Sequence, residues 1–227
     1  MGHRLLRWFF TAVFRLLSRS RVEGLENLPR DCPYILVGNH LSIVDAPLAY
    51  LYLGGPQITG FVASKWRYHP FYYPIIRLAG GIFIRRGEVD RMALQAAIDW
   101  LRAGKCFGMA PEGTRSRVGV LQRGKTGAAY LASQVDAPLV PMAMIGTDRA
   151  FPSLLRLRRP ELILRIGEAF RLPPVAEGDR SQVLRHQTDE IMCRIAALLP
   201  PRYWGFYTNH PRLQELTAVQ AGMLAVS

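Results

Sequence analysis

Asn39-His40-Leu41-Ser42-Ile43-Val44-Asp45 places an imidazole five residues ahead of a carboxylate, with a hydroxyl between them. An imidazole is the side chain that ordinarily changes charge nearest neutral pH, and one oriented by a carboxylate suits a general base. Five helical steps turn about 500°, roughly 140° past a full turn, so the pair cannot share one helix face. The spacing instead suits a histidine at the end of a strand and an aspartate about one turn into the helix that follows. Ser42-x-x-Asp45 equally fits a capping box, in which Asp45 satisfies free backbone N–H groups and His40 is only a polar strand-end residue. These residues alone leave both readings open.

A second constellation lies at Pro111-Glu112-Gly113-Thr114-Arg115-Ser116. An anionic group could be gripped by Arg86, Arg115, Lys65 and the backbone N–H groups around Gly113. Any one of these cations could equally be a solvated surface residue. Gly119-Val120-Leu121-Gln122-Arg123-Gly124-Lys125-Thr126 satisfies the phosphate-binding pattern GxxxxGK[ST]. That loop requires a buried strand immediately before it, and Arg115-Ser116-Arg117-Val118 is polar. No G-x-S-x-G elbow offers an acyl-enzyme nucleophile.

Alternating strands and helices position these groups. Apolar runs predict strands at Tyr34–Val37, Ile58–Ala63, Ile82–Ile84, Cys106–Ala110, Leu139–Ile145 and Leu162–Ile166, after a short one near Arg21–Pro29. Pro141 within its run points to a strand start, a bulge or an edge. Helices are expected from Ser42 to Leu53, His69 to Ala79, Asp90 to Ala103, Thr126 to Gln134 and Arg180 to Leu199. His69 precedes Pro70 and reads as a residue leading into a helix. Past Pro200-Pro201 the signals are weak. The pattern is that of a single α/β domain with a mixed, mostly parallel sheet flanked by helices, its polar motifs at strand ends.

The first residues carry a different signal. Arg4, Arg7, Thr11, Arg15 and Ser18 recur at steps of three and four, beside Trp8, Phe9, Phe10 and Phe14. Arg7 and Arg15 interrupt the run, which is too short for the ~20 apolar residues of a membrane span. No small-residue cleavage site follows, as a signal peptide would need. The stretch reads as an amphipathic helix lying on a membrane surface, with Arg4, Arg7 and Arg15 at anionic headgroups and Trp8, Phe9, Phe10 and Phe14 among the acyl chains. A helix docked on the domain core is the other reading.

The net charge of +12 favours anionic partners, and no nucleic-acid signature accompanies it. Three separated cysteines and five scattered histidines argue against a disulfide framework or a metal site and for a reducing compartment.

Together the motifs resemble those of the glycerolipid acyltransferase family typified by lysophosphatidic acid acyltransferases. Its NHxSxxD motif is matched by Asn39, His40, Ser42 and Asp45, and its PEGTRS motif by Pro111 to Ser116. A glycine-rich strand ending in arginine is similar to Gly80–Arg86, and an apolar run around Val-Pro to Leu139–Met142. The four occur in the family's order within about residues 21 to 150. The resemblance implies an O-acyltransferase in which His40, oriented by Asp45, deprotonates a glycerol hydroxyl that attacks an acyl thioester directly. It implies a lysophospholipid acceptor, lysophosphatidic acid or a relative, whose phosphate meets Arg86 and Arg115 in a loop shaped by Glu112, Gly113 and Thr114. Lys125 corresponds to the lysine of the family's F-K-x-G segment and would help hold donor or acceptor phosphate. The acyl donor would be acyl-CoA or acyl carrier protein, with no resident cofactor. Location would be peripheral or monotopic on a membrane's cytoplasmic face. Ala110 and Gly124 depart from the family's usual aromatic residues. Hydrolysis of a thioester or lipid ester by the same His/Asp pair is the rival chemistry. A nucleotide enzyme built on Gly119–Thr126 is a more distant one. The expected division is an interfacial helix at 1–20, an acyltransferase domain at 21–205 and a C-terminal tail at 206–227.

Overall fold

A computed structural model describes residues 2–85, 87, 90–174 and 179–224. Seven strands, β1 (Arg19–Glu23), β2 (Ile35–Gly38), β3 (Ile58–Ala63), β4 (Ile82–Ile84), β5 (Cys106–Met109), β6 (Leu139–Ile145) and β7 (Glu161–Ile166), form one sheet in the order β1-β7-β6-β2-β5-β3-β4. Among the strand pairs of the described residues, only β6–β7 is antiparallel. The helices are α1 (Gly2–Leu17), α2 (Asp45–Leu53), α3 (Tyr72–Ala79), α4 (Arg91–Arg102), α5 (Gly127–Gln134), α6 (Ala150–Leu155), α7 (Arg180–Ala197) and α8 (Pro211–Leu224). The expected single α/β domain with a mixed, mostly parallel sheet is what forms.

Central strands buried on both faces read as continuous apolar runs, and alternate residues then serve opposite layers. Ile35 and Val37 pack with α4, α5 and α7, whereas Leu36 between them packs with α1 and α2. In β6, Leu139, Ala143 and Ile145 join the first layer, and Val140, Met142 and Met144 the second. Pro141 has no N–H to give, and β6 is central. The missing donor falls where the β7 ladder is interrupted, between the Gly167 N–H bonded to Pro141 O and the isolated Leu139–Phe170 bridge. Of the three sequence readings of Pro141, the bulge-like break is the one that occurs.

Several boundaries differ from expectation. Asp45 is the first residue of α2, and the capping position belongs to Val44. A 3-10 turn at Ser64–Tyr68 precedes the helix expected from His69, which begins instead at Tyr72; His69 Nδ1 accepts the N–H groups of Phe71 and Tyr72 at 3.3 Å. Within the segment expected as a tail, Tyr207 and Leu213 are buried in the core, as is Tyr203 just before it, and α8 packs on α7. Burying each such large side chain stabilises by about 1.5–3 kcal/mol.

α1 docks on the domain core, as the second of its two sequence readings expects. Leu6, Phe10 and Phe14, one stripe at four-residue steps, are buried against α2 and the sheet. Leu5, Trp8, Phe9 and Leu16 stay exposed on another face, beside exposed Arg4, Arg7 and Arg15. Phe10 and Phe14 are therefore corrected from membrane-facing to core residues, because the domain offers them an apolar surface. Among the described residues no helix is long and apolar enough to cross a membrane.

Candidate active site

β2, β3, β4 and β5 are mutually parallel, so their C-terminal ends open on one edge of the sheet. His40 leaves the end of β2. Its Nδ1 lies 2.7 Å from Asp45 Oδ2. The same oxygen accepts the N–H of Leu41 at 2.7 Å and of Ser42 at 2.8 Å. Asp45 thus performs the backbone-capping role and the ring-orienting role together. An oxygen already accepting two N–H groups leaves Nδ1 as the donor of the third bond. Nε2 is then the unprotonated nitrogen of the neutral ring, as a base requires.

The Pro111–Ser116 loop encloses His40 from the other side. Glu112 is 2% exposed, and its carboxylate accepts the N–H of His40 at 3.1 Å and of Gln122 at 3.0 Å. Ser116 N–H donates to His40 O at 2.8 Å. Both backbone groups of His40 are therefore held by this loop. Burial pushes the Glu112 carboxyl up to about 7, against the two amide bonds that favour its charge; the nearby Asp45 carboxylate adds to the rise.

His40 and Asp45 border a cavity of about 1180 Å³, somewhat above the ~300–1,000 Å³ usual for ligand pockets. Its long wall is apolar, including Leu53, Ile58, Phe61, Ile75 and Ala79. Phe10 and Tyr50 close part of it, with rings 5.8 Å apart edge to face, and His3 Nδ1 lies 2.6 Å from Tyr50 OH. Lys125, Arg85, Arg91 and Gln95 line a polar stretch.

The other residues singled out by sequence fall as follows. Gly113 and Lys125 line the cavity, and a Cβ at Gly113, whose φ is 70°, would meet Lys125 Cδ at 3.1 Å. Thr114 is exposed and Arg115 half-buried; neither is in the cavity lining. Glu112 faces backbone amides, so its place is in the scaffold of His40. Lys65 is corrected: it is exposed, 5.1 Å above the Trp66 ring, outside the cavity lining, because the 3-10 turn directs Trp66 inward in its stead. Arg86 lies outside the described residues. The GxxxxGK[ST] segment follows the Pro111–Ser116 loop with no strand immediately before it. Gly124 fills a place with no room for an aromatic ring, since a Cβ there would meet Met192 Cγ at 2.7 Å.

Sequence reasoning missed three supports. Asn39, buried, exchanges two side-chain bonds with the Met144 backbone, at 3.0 and 2.7 Å, which ties the end of β2 to β6. Tyr207 OH accepts the Gly124 N–H at 3.0 Å and donates to Asp189 at 3.2 Å. Arg185 donates to Gly124 O at 2.6 Å. The asparagine beside the histidine was a usable signal; the Tyr207 bracket has no local one.

The chain is similar to known acyltransferases in sequence and in fold. A family model described as acyltransferase matches residues 19–145, which include both motifs. A 1-acyl-sn-glycerol-3-phosphate acyltransferase of Chlamydomonas reinhardtii is 31% identical over 199 residues, 83% of this chain and 55% of that protein. One from Borreliella burgdorferi is 29% identical over 132 residues, 57% of this chain and 52% of that protein. The crystal structure of the 1-acyl-sn-glycerophosphate acyltransferase PlsC from Thermotoga maritima is similar at a TM-score of 0.64 and 27% identity, covering 85% of this chain and 77% of that one. The chain spans about half the length of the curated relatives it matches. With more than half its residues under the family model, and the histidine–aspartate pair and the Pro111–Ser116 loop joined at one sheet edge, the chain belongs to the acyltransferase family.

Proposed function

We propose that this protein transfers a fatty acyl group from a thioester, acyl-CoA or acyl carrier protein, to the free hydroxyl of lysophosphatidic acid or a related lysophospholipid. The observation that carries the reading is the 2.7 Å His40–Asp45 contact at the border of a large, mainly apolar cavity. In this scheme Nε2 of His40 takes the hydroxyl proton as the oxygen attacks the thioester carbonyl. Asp45 holds the ring and offsets the charge it gains. The tetrahedral adduct collapses with loss of the thiolate, to which the imidazolium returns its proton. Ester and free thiol are the products, and the protein forms no covalent intermediate. The apolar wall takes the acyl chain. Lys125, with Arg85 and Arg91 nearby, offers positive charge to a phosphate, and Arg86 and Arg115 remain candidates for the same task on the family resemblance.

The same reading puts the protein on a membrane surface, on its cytoplasmic face. The exposed Leu5, Trp8, Phe9 and Leu16 of α1 enter the acyl region, and Arg4, Arg7 and Arg15 meet anionic headgroups. Incubation with acyl-CoA and lysophosphatidic acid, followed by separate quantitation of diacyl product and free fatty acid, tests the function. Diacyl product in excess supports transfer; fatty acid released at the same rate with or without acceptor makes the protein a hydrolase.

A further inference from the structure

Phe151, Leu155 and Leu157 are 54%, 86% and 97% exposed, all at the tip formed by α6 and the loop after it. A single exposed leucine is ordinary on a protein surface; a cluster of bulky apolar groups is a mark of a contact site. From Arg149 to Arg159 the sequence carries four arginines and no acid. Arg156, Leu157 and Arg158 are consecutive exposed residues. The backbone holds Leu157 at φ 54°, the left-handed region that leucine seldom adopts. Local strain is thus tolerated where an apolar side chain stands in the open.

This tip adjoins α1. Arg159 Nη2 donates to Arg15 O at 2.5 Å and to Ser18 O at 2.6 Å, and Arg19 N–H donates to Pro160 O at 2.8 Å. Ala150, at the start of α6, is buried in the same cluster as Leu6, Phe10 and Phe14. Both elements therefore cover one face of the sheet, with the exposed Leu16 and Leu17 at the junction.

We propose that residues 149–159 form a second lipid-inserting element. Leu155 and Leu157 enter the interfacial region of an anionic bilayer, Phe151 follows at its edge, and Arg149, Arg156 and Arg158 meet headgroup phosphates. The inference rests on the membrane reading of α1 and extends it to a second point of attachment. Charge selects the occupant: a second copy of a chain with net charge +12 would bring like charge to the patch, whereas anionic lipid complements it.

The test uses the full chain carrying Cys32→Ser, because Cys32 is the exposed cysteine. Leu157→Cys and, separately, Trp8→Cys are labelled with an environment-sensitive fluorophore. Each is mixed with phosphatidylglycerol–phosphatidylcholine vesicles and with phosphatidylcholine vesicles. The expected result is a blue shift of both labels on the anionic vesicles and a much smaller one on the neutral vesicles. A silent Leu157 label beside a responsive Trp8 label overturns the second element and leaves α1 standing. Silence of both overturns the membrane reading and this inference with it. A Leu157 shift that grows with protein concentration and needs no vesicles overturns it in favour of self-association. The unlabelled double variant Leu155→Asp/Leu157→Asp should bind anionic vesicles at least about tenfold more weakly with an unchanged melting temperature; undiminished binding contradicts the proposal.

Discussion

Glu112 holds His40 by its backbone: Oε1 accepts the His40 N–H at 3.1 Å, while Oε2 accepts the Gln122 N–H at 3.0 Å. A buried carboxylate bridging two loops is a positioning device, since it fixes where the imidazole begins. Glutamine has one acceptor oxygen in place of two, so Glu112→Gln leaves one buried N–H unpaired, at a cost of about 1–3 kcal/mol. The expected kinetic result is a kcat lowered about tenfold or more, with the KM for the acyl donor little changed. A raised KM with normal kcat would place Glu112 on a substrate instead.

The same residue gives a pH dependence of known sign. The folded carboxyl is raised from an ordinary 4.5 to about 7. Between those values the folded chain binds more protons than the unfolded one, so stability falls as pH rises. The contribution is complete below about 4.5 and gone above about 7. Melting curves of the wild type and Glu112→Gln should therefore differ by an amount that changes steadily over this window. A constant difference would show that the carboxyl does not titrate there.

Asp45→Asn keeps an acceptor for one or both amides of Leu41 and Ser42 and removes the charge that orients His40. We expect a loss of about 10²–10⁴ in kcat, the range that a positioned acid–base group supplies. The variant should remain folded by circular dichroism. Near-normal turnover would return Asp45 to a purely capping role.

Ala79 lines the apolar wall of the cavity at the end of α3. Ala79→Trp should shorten the preferred acyl chain, with each methylene denied a place costing about 0.8 kcal/mol, close to fourfold in kcat/KM. A series of acyl-CoA lengths measures this. An unaltered length profile would move the acyl site elsewhere.

Tyr207→Phe removes the hydroxyl that meets Gly124 N–H and Asp189. Loss of one buried pair should cost about 1–2 kcal/mol, seen as a drop of several degrees in melting temperature. No change would mean that the Tyr207 hydroxyl bonds add nothing to stability.

What could be read from the chain followed local rules. Strands buried on both faces announce themselves as apolar runs, and the His40/Asp45 spacing already implied a bend between loop and helix. What escaped depended on contacts between distant residues. Glu112 reaches His40 across 72 positions and Tyr207 reaches Gly124 across 83; no periodicity reports either. α1 is apolar on two faces, so pattern alone could not say which stripe the domain would cover. The outward Lys65 reflects a 3-10 turn where an ordinary loop was expected.

Product formation by His40→Ala, set against wild type under identical acyl-CoA and lysophosphatidic acid, probes the central claim most directly. The proposed mechanism predicts ester formation reduced at least about 10²-fold, with the variant folded and still bound to vesicles. Equal amounts of diacyl product from both proteins, above a control without protein, would contradict it.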